Sequence, residues 1–409
     1  MKKLKFLFIG GVYPNEKLNE YKHDCSGILS YAAEKHQRNI IIGLEKNLKE
    51  VIPMINASFL PAYPTCKKIF ISKVKWSHCN GAADINVEFF NIRGLRQFSK
   101  MYSLKKELNK YLSLNKIDVV ICYTLFYPYI RAINLMKKKY KFKVICIVPD
   151  LPTVVAKYKT KLSLYEKISR KYNLKKIEEY QKCIDKYVLL TEQMAKELNI
   201  IKENYCVIDG LYDENEYKNC EFKIKENQKV KRFVYTGSIN EEYGLKTFLE
   251  AFKKIKRYDI ELYIAGKGNL EKYILNIVNI DKRVKYLGVL EMEEVLKLQE
   301  SATFLINPRT SNSLDAKYSF PSKTIEYMLS GTPILMEHLP GMDKEYKKLI
   351  IRYNGANVLS AIDSIEKALS LKKSELDSIA KQAFDYVYYK KNSTFQTQKI
   401  IELLGGKNG

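Results

Sequence analysis

Short apolar runs, each followed by a stretch whose apolar residues fall three and four apart, recur along the chain. That alternation of periods is the pattern of β-α units that build a parallel sheet. In the first half the predicted strands are LKFLFIG (4–10), RNIIIGL (38–44), VEFFNI (87–92), DVVICYT (118–124), FKVICIVPD (142–150) and KYVLLT (186–191). In the second half they are RFVYTGS (232–238), IELYIAG (260–266), VKYLGV (284–289), ATFLINP (302–308), TPILME (332–337) and ANVL (356–359). The pattern predicts an α/β protein with two doubly wound sheets. Between the halves, DENEYKNCEFKIKENQKVK (213–231) is polar and without apolar period, the texture of a linker. The expected domains are therefore residues 1–220 and 221–385. A last stretch, 386–409, contains a helix centred on TFQTQKIIELL (394–404) with no strand after it, expected to cross back to the first domain. A chain of 409 residues supports this division, because a single core stops growing near ~250–300 residues.

One segment concentrates the chemistry. INPRTSNSLDAKYSFPSKTIEYMLSGTPIL (306–335) reads as a strand, a polar loop, a helix opened by Pro321 and a Gly-terminated turn into the next strand. In a parallel α/β sheet such a helix starts above the carboxyl ends of the strands, where ligands bind. The amides of Ser322, Lys323 and Thr324, with the positive end of the helix dipole, would form an anion site suited to a diphosphate. Lys323 and Glu326 are three apart and share a helix face, so one can neutralise phosphate while the other accepts hydrogen bonds from ribose hydroxyls. An exposed Lys–Glu ion pair is the other reading of that spacing.

Composition narrows the class. No run of 18 apolar residues occurs, and the apolar opening of MKKLKFLFIGGVYP breaks at Gly10-Gly11 with no small-residue cleavage site, so it reads as a first strand rather than a signal peptide. The eight cysteines are scattered without a C-x-x-C pair, as expected of reduced thiols in a cytoplasmic protein. The net charge is +24. Residues 1–220 hold 39 Lys and Arg against 22 Asp and Glu, an excess of 17, which leaves 7 for the remainder. A basic half implies an extended anionic partner, phospholipid headgroups or nucleic acid, or else a solvated Lys-rich surface. The stretch KTKLSLYEKISRKYNLKKIEEYQKC (159–183) places Leu162, Tyr165, Ile168 and Tyr172 on one helical face among many cations, a pattern for a helix lying on an anionic membrane or packed on its own core.

The segment SFPSKTIEYMLSGTP resembles the donor-binding segment of retaining GT-B glycosyltransferases, in particular the family-4 group of bacterial polysaccharide enzymes, with Glu326, Gly331 and Pro333 at the family's positions. FVYTGSINEEYGLKTFLEAFKKI, YIAGKGNLEKYI, KYLGVLEMEEVLKLQESATFLINPR and the terminal YYKKNSTFQTQKIIELL extend the resemblance, and FIGGVYP and CIVPDLP extend it loosely into the first half. It implies two Rossmann-like domains facing across a cleft, and transfer of a sugar from a nucleotide diphosphate donor to a lipid-linked glycan at the inner face of the cytoplasmic membrane, in surface polysaccharide synthesis. The donor-binding residues it implies are Gly237, Ser238, Gly266, Gly268, Leu287, Ser322, Thr324 and Glu326. Gly10 and Gly11 fall on the acceptor side, and Asp150, Lys323 and Arg309 are the catalytic candidates. The chain contains no D-x-D motif, so neither a metal nor another cofactor is expected beyond the nucleotide sugar itself. Two positions depart from the family. Tyr318 stands where an earlier Glu is usual, and Tyr243-Gly244 replaces a Lys-Gly, leaving Lys323 and Arg309 to supply the cation. A nucleotide-sugar 2-epimerase of the same architecture, a basic nucleic-acid binder and a catalytically silent relative are the alternatives; without a nucleic-acid motif or a compact basic tail, no nucleic-acid partner is expected.

Overall fold

Runs such as FLFIG and VVICY carry no polar alternation, so they need a sheet covered on both faces. The computed structural model describes residues 4–26, 29–154, 164–218, 220–312 and 316–405 and supplies two such sheets. By contact the chain forms two compact units, Met1–Asp213 with Ser393–Gly409, and Glu214–Asn392.

The first unit holds β1 (Phe6–Gly10), β2 (Met54–Asn56), β3 (Phe70–Ile71), β4 (Val74–Trp76), β5 (Asp84–Asn86), β6 (Phe89–Phe90), β7 (Val119–Tyr123), β8 (Lys143–Val148), β9 (Lys186–Leu189) and β10 (Tyr205–Val207). Its main sheet runs β10-β9-β8-β7-β1-β2-β5-β4, parallel except for β4, while β3 and β6 form a separate antiparallel ribbon. The chain winds outward in both directions from the neighbouring β1 and β7, so the carboxyl ends of these two strands lie at the switch point of the sheet. Its helices are α1 (Leu18–Asp24), α2 (Tyr31–Leu48), α3 (Leu95–Leu114), α4 (Tyr127–Lys137), α5 (Leu164–Tyr180) and α6 (Glu192–Glu197).

The second unit holds β11 (Lys231–Thr236), β12 (Ile260–Ala265), β13 (Val284–Tyr286), β14 (Phe304–Asn307), β15 (Ile334–Met336) and β16 (Ile351–Arg352), all parallel in the order β13-β12-β11-β14-β15-β16. Around them lie α7 (Leu245–Lys254), α8 (Glu271–Ile280), α9 (Met292–Glu300), α10 (Lys323–Leu329), α11 (Val358–Ser370) and α12 (Lys373–Lys390). Stacked Phe233 and Phe304, with Phe248 and Phe252 around them, fill its core. The last helix, α13 (Ser393–Leu403), packs on α2 of the first unit. Gly43 of α2 permits this approach, since a Cβ there would lie 2.2 Å from the Ser393 carbonyl oxygen, and Asn47 donates to the Thr394 carbonyl at 2.8 Å.

Two expected strands are not strands. RNIIIGL lies inside α2, with Ile40, Ile41 and Leu44 buried and three to four apart; a short apolar run satisfies either period, and the helix wins because β2 takes the next place in the sheet. ANVL starts α11, where the Asn357 side chain accepts the Ser360 amide at 2.9 Å, and the strand of that unit is β16. VEFFNI contributes only two paired residues, in β6. The helix expected to open at Pro321 begins at Lys323, because Pro321 lies before the Ser322 cap.

Candidate active site

The site of the second unit is built on the ends of β11, β12 and β14. Thr236, the last residue of β11, gives its amide to the Tyr327 hydroxyl at 3.0 Å, and that hydroxyl donates to the Thr236 carbonyl at 2.9 Å. Tyr327 is fully buried on α10, so this pair fixes the start of α10 against the end of β11. Gln299 on α9 donates to Thr236 Oγ1 at 3.0 Å and to Glu326 Oε1 at 2.5 Å. The Glu326 carboxylate is thereby held in one orientation, with Lys323 Nζ 3.7 Å away.

Two glycines bring the loops together. Gly237 and Gly266 both have φ near +145°, a region open mainly to glycine. A Cβ on Gly266 would sit 1.7 Å from the Gly237 carbonyl oxygen, and one on Gly237 would sit 2.9 Å from Cε of Lys323. The Lys323 side chain thus lies across bare backbone. The Gly237 amide donates to Ala265 at 2.9 Å and the Gly266 amide to Gly288 at 2.7 Å, which ties the three loops in a row. Gly268 meets Asn240, and Leu287 gives its amide to Ile264 at 2.9 Å with its side chain partly exposed. Ser238 is exposed, and its carbonyl accepts from the Tyr235 hydroxyl at 2.6 Å.

Arg309 follows β14, and its guanidinium stacks 4.1 Å above the ring of Tyr243. Gly244, with φ +78°, is pressed against the Pro308 carbonyl, so the loop after β14 and the start of α7 touch. The cation and the aromatic residue that departs from the family pattern are therefore neighbours. Burial pushes the Tyr235 hydroxyl up; Tyr327 adds to this and the charge of Arg309 opposes it, which puts that charge within reach of the same loop.

At the start of α10 one expectation changes. The Thr324 amide donates to the Pro321 carbonyl at 2.8 Å, and its buried hydroxyl donates to Met336 Sδ. Thr324 has no group to give a ligand. The two amides ahead of it, of Ser322 and Lys323, are those that helix geometry leaves without an intrahelical acceptor; Ser322 is exposed and Lys323 half-exposed. Glu326 also edges a cavity of about 310 Å³ lined by Glu216, Tyr217 and Glu300. Its carboxylates suit sugar hydroxyls and repel phosphoryl oxygens.

In the first unit, Gly10 and Gly11 are buried, and the space a Cβ would need is filled by Gln37 and Phe59, at 2.2 and 2.3 Å. The Gly11 amide donates to Gln37 Oε1 at 2.8 Å. Internal close contact accounts for both glycines. Asp150 is exposed two residues beyond β8. Burial first, and then the charge of Asp150, push the hydroxyl of Tyr123 up at the end of β7. That hydroxyl is 3.0 Å from Nδ1 of His36. Burial lowers the His36 pKa to about 4, so the imidazole is neutral, and its shielded Nε2 has no hydrogen-bond partner among the described residues. A single histidine inside a helix carries no signal in sequence, and neither does Gln299; both are recognisable only from their contacts.

The face expected from 159–183 is only partly visible, since Leu162 and the side chain of Tyr165 lie outside the described residues. Tyr172 sets its ring edge-on to Tyr127 of α4, with centroids 6.0 Å apart, whereas Ile168 is exposed. Elsewhere, Glu45, His78 and Cys79 come within metal-ligand distance of one another, but His78 gives both ring nitrogens to carboxylates, Asp84 at 2.7 Å and Glu45 at 3.0 Å. Burial would lower its pKa, yet these bonds raise it to about 9. No described helix is long and apolar enough to cross a membrane.

Comparison with known proteins places this geometry. Residues 230–369 match the family model described as Glycosyl transferases group 1. No curated protein matches the sequence. Among solved structures, the chain is similar to a sucrose-phosphate synthase from Thermosynechococcus elongatus, 12% identical over 98% of each chain with a TM-score of 0.67. It is also similar to the lipopolysaccharide outer core galactosyltransferase WaaB, 14% identical over 99% of this chain and 100% of that one, TM-score 0.64. A third is Anabaena HepE in complex with UDP, 12% identical over 98% and 100%, TM-score 0.64. Identities this low establish the fold, which is GT-B with two Rossmann-like domains.

Proposed function

We propose that this chain, which has the GT-B fold and matches the family model Glycosyl transferases group 1 over residues 230–369, transfers a sugar, with retention and without a metal, from a nucleotide diphosphate donor to a lipid-linked glycan of a bacterial surface polysaccharide. The work takes place at the inner face of the cytoplasmic membrane, against an anionic lipid surface. The observation that carries this reading is Lys323, whose side chain crosses the bare backbone of Gly237 at the start of α10 while Glu326 beside it is locked by Gln299. HepE was solved with UDP, and WaaB is a lipopolysaccharide galactosyltransferase, which supports a nucleotide-sugar donor and a lipid-borne acceptor.

In the reaction the bond from the anomeric carbon to the diphosphate oxygen breaks, a bond to the acceptor oxygen forms on the same face, and the acceptor hydroxyl loses its proton. Charge develops on the leaving diphosphate, so preorganised cations and donors there are the main catalytic term. Lys323, Arg309 and the Ser322 hydroxyl and amide supply it, and Glu326 accepts from the ribose hydroxyls. Gly237, Ser238, Gly266, Gly268 and Leu287 form the floor on which the donor lies. On the first unit, Asp150 orients the acceptor hydroxyl and takes its proton.

The test is Lys323→Ala, assayed with the donor that gives the largest thermal shift among UDP-, GDP-, dTDP- and CDP-sugars. Transfer should fall by roughly 10²–10³, the range for losing one such donor, with the melting temperature unchanged. Undiminished turnover removes Lys323 from the site, and a product formed from the donor without a second substrate identifies an epimerase instead.

A further inference from the structure

The ribbon of β3 and β6 and one face of α3 carry apolar side chains that nothing among the described residues covers. Phe70 and Phe90 are paired in register with ring centroids 5.1 Å apart, and both are nearly half-exposed, as are the flanking Ile69 and Ile92. The Phe90 amide donates to Ser99 Oγ at 2.9 Å, which joins this ribbon to α3. On α3, Ser103, Leu104, Glu107 and Leu108 face inward. Leu95, Phe98 and Tyr102, spaced three and four apart, face outward at 48, 48 and 66% exposure. Large apolar side chains scattered singly on a surface need no explanation, but seven in one continuous area mark a docking face.

The charge around this face selects its occupant. Between residues 67 and 110 the exposed charged side chains are Lys67, Lys75, Arg93, Lys105, Lys106 and Lys110, every one a cation. Of the three acidic residues in the same stretch two are withdrawn, and the third, Glu88, lies 3.9 Å from Lys106, which remains mostly exposed. Asp84 and Glu107 are buried, with Glu107 paired to Lys73 at 2.5 Å, and Glu88 is half-buried. Aromatic and aliphatic groups that enter the headgroup boundary, rimmed by Lys and Arg, are what an anionic bilayer binds. We propose that this face, rather than the α5 helix, seats the protein on an anionic phospholipid bilayer, with α3 lying flat in the headgroup layer. Leu95, Phe98 and Tyr102 enter the acyl boundary while Lys105 and Lys106 pair with lipid phosphates.

The full chain is mixed, with no sugar donor present, with sucrose-loaded vesicles of phosphatidylethanolamine and phosphatidylglycerol (3:1) or of phosphatidylcholine alone, and the bound fraction is read by sedimentation. Binding is expected on the anionic vesicles and at least tenfold weaker on phosphatidylcholine. The triple variant L95S/F98S/Y102S should lower it about tenfold or more. The milder K105Q/K106Q should lower it about tenfold at 0.1 M salt, and Ile168→Ser on α5 should leave it unchanged. The proposal is overturned if the wild type ignores both lipids or binds them equally, or if both patch variants bind like the wild type while Ile168→Ser does not. It is equally overturned if the wild type is a dimer that the triple variant dissolves, since a second copy then covers the face. The inference rests on the membrane part of the proposed function; because no donor is present, failure here leaves the sugar-transfer chemistry untouched, and loss of transfer activity in Lys323→Ala leaves this face untouched.

Discussion

At the scale of single residues, the proposed donor site depends on places where a side chain is missing as much as on those where one is present. Gly266 combines φ +144° with a Cβ position 1.7 Å from the Gly237 carbonyl oxygen, and relief can come only from moving that backbone. Gly266→Ala is therefore expected to destabilise the second unit by roughly 1–3 kcal/mol and to weaken nucleotide-sugar binding, measured by urea unfolding and by titration calorimetry. A variant as stable and as tight as the wild type would mean the two loops do not meet. Sequence showed the glycines and the Lys323/Glu326 pair, because spacing on a helix is a local property. It could not show that Arg309 stacks on Tyr243 or that Gln299 clamps Glu326. Those partners come from different β-α units, and their meeting depends on strand order. For the same reason Thr324 looked available while its amide is committed to Pro321, and Gly10 and Gly11 looked open while Gln37 and Phe59 fill their space.

At the scale of elements, a charged side chain helps tie α2 to the main sheet. His78 bridges Glu45 of α2 and Asp84 of β5, and Asp84 also accepts the His78 and Met54 amides at 2.8 and 3.0 Å. The folded state raises the His78 pKa from 6.5 to about 9, so it binds the proton more tightly than the unfolded chain. The resulting stability is fully present below pH 6.5 and is lost as pH rises through about 9. Urea midpoints of the first unit should fall between pH 7 and 9.5 by roughly 2 kcal/mol equivalent, and His78→Gln should flatten that slope while lowering stability at pH 6. A slope identical in the variant would assign the pH dependence to other groups. The identity of α2 as a helix is itself a lesson at this scale. RNIIIGL has the composition of a strand, but its buried positions, Ile40, Ile41 and Leu44, follow the helical period once the neighbours on both sides are helical too.

At the scale of the molecule, the first unit is discontinuous in sequence, because α13 returns to α2 with Ile400 wholly buried beside Ile40 and Ile41. A fragment ending at Asp213 leaves that apolar surface of α2 bare, whereas Glu214–Asn392 contains all six strands of its own sheet. Residues 214–392 alone should unfold cooperatively in urea, and residues 1–213 alone should bind a hydrophobic dye and show no sharp transition. An equally cooperative fragment 1–213 would show that α13 contributes little. By itself the sequence determined the α/β class, most strands of both sheets and the segment 306–335 with its Pro, Lys, Glu and Gly positions, since strand and helix periods and turn chemistry are written in neighbouring residues. Tertiary structure alone decided which loops meet at Gly237, which partners Glu326 and Arg309 take, and where apolar and cationic side chains gather on one surface. Each of those depends on contacts between residues far apart in the chain, and no local pattern encodes which distant partner will close them.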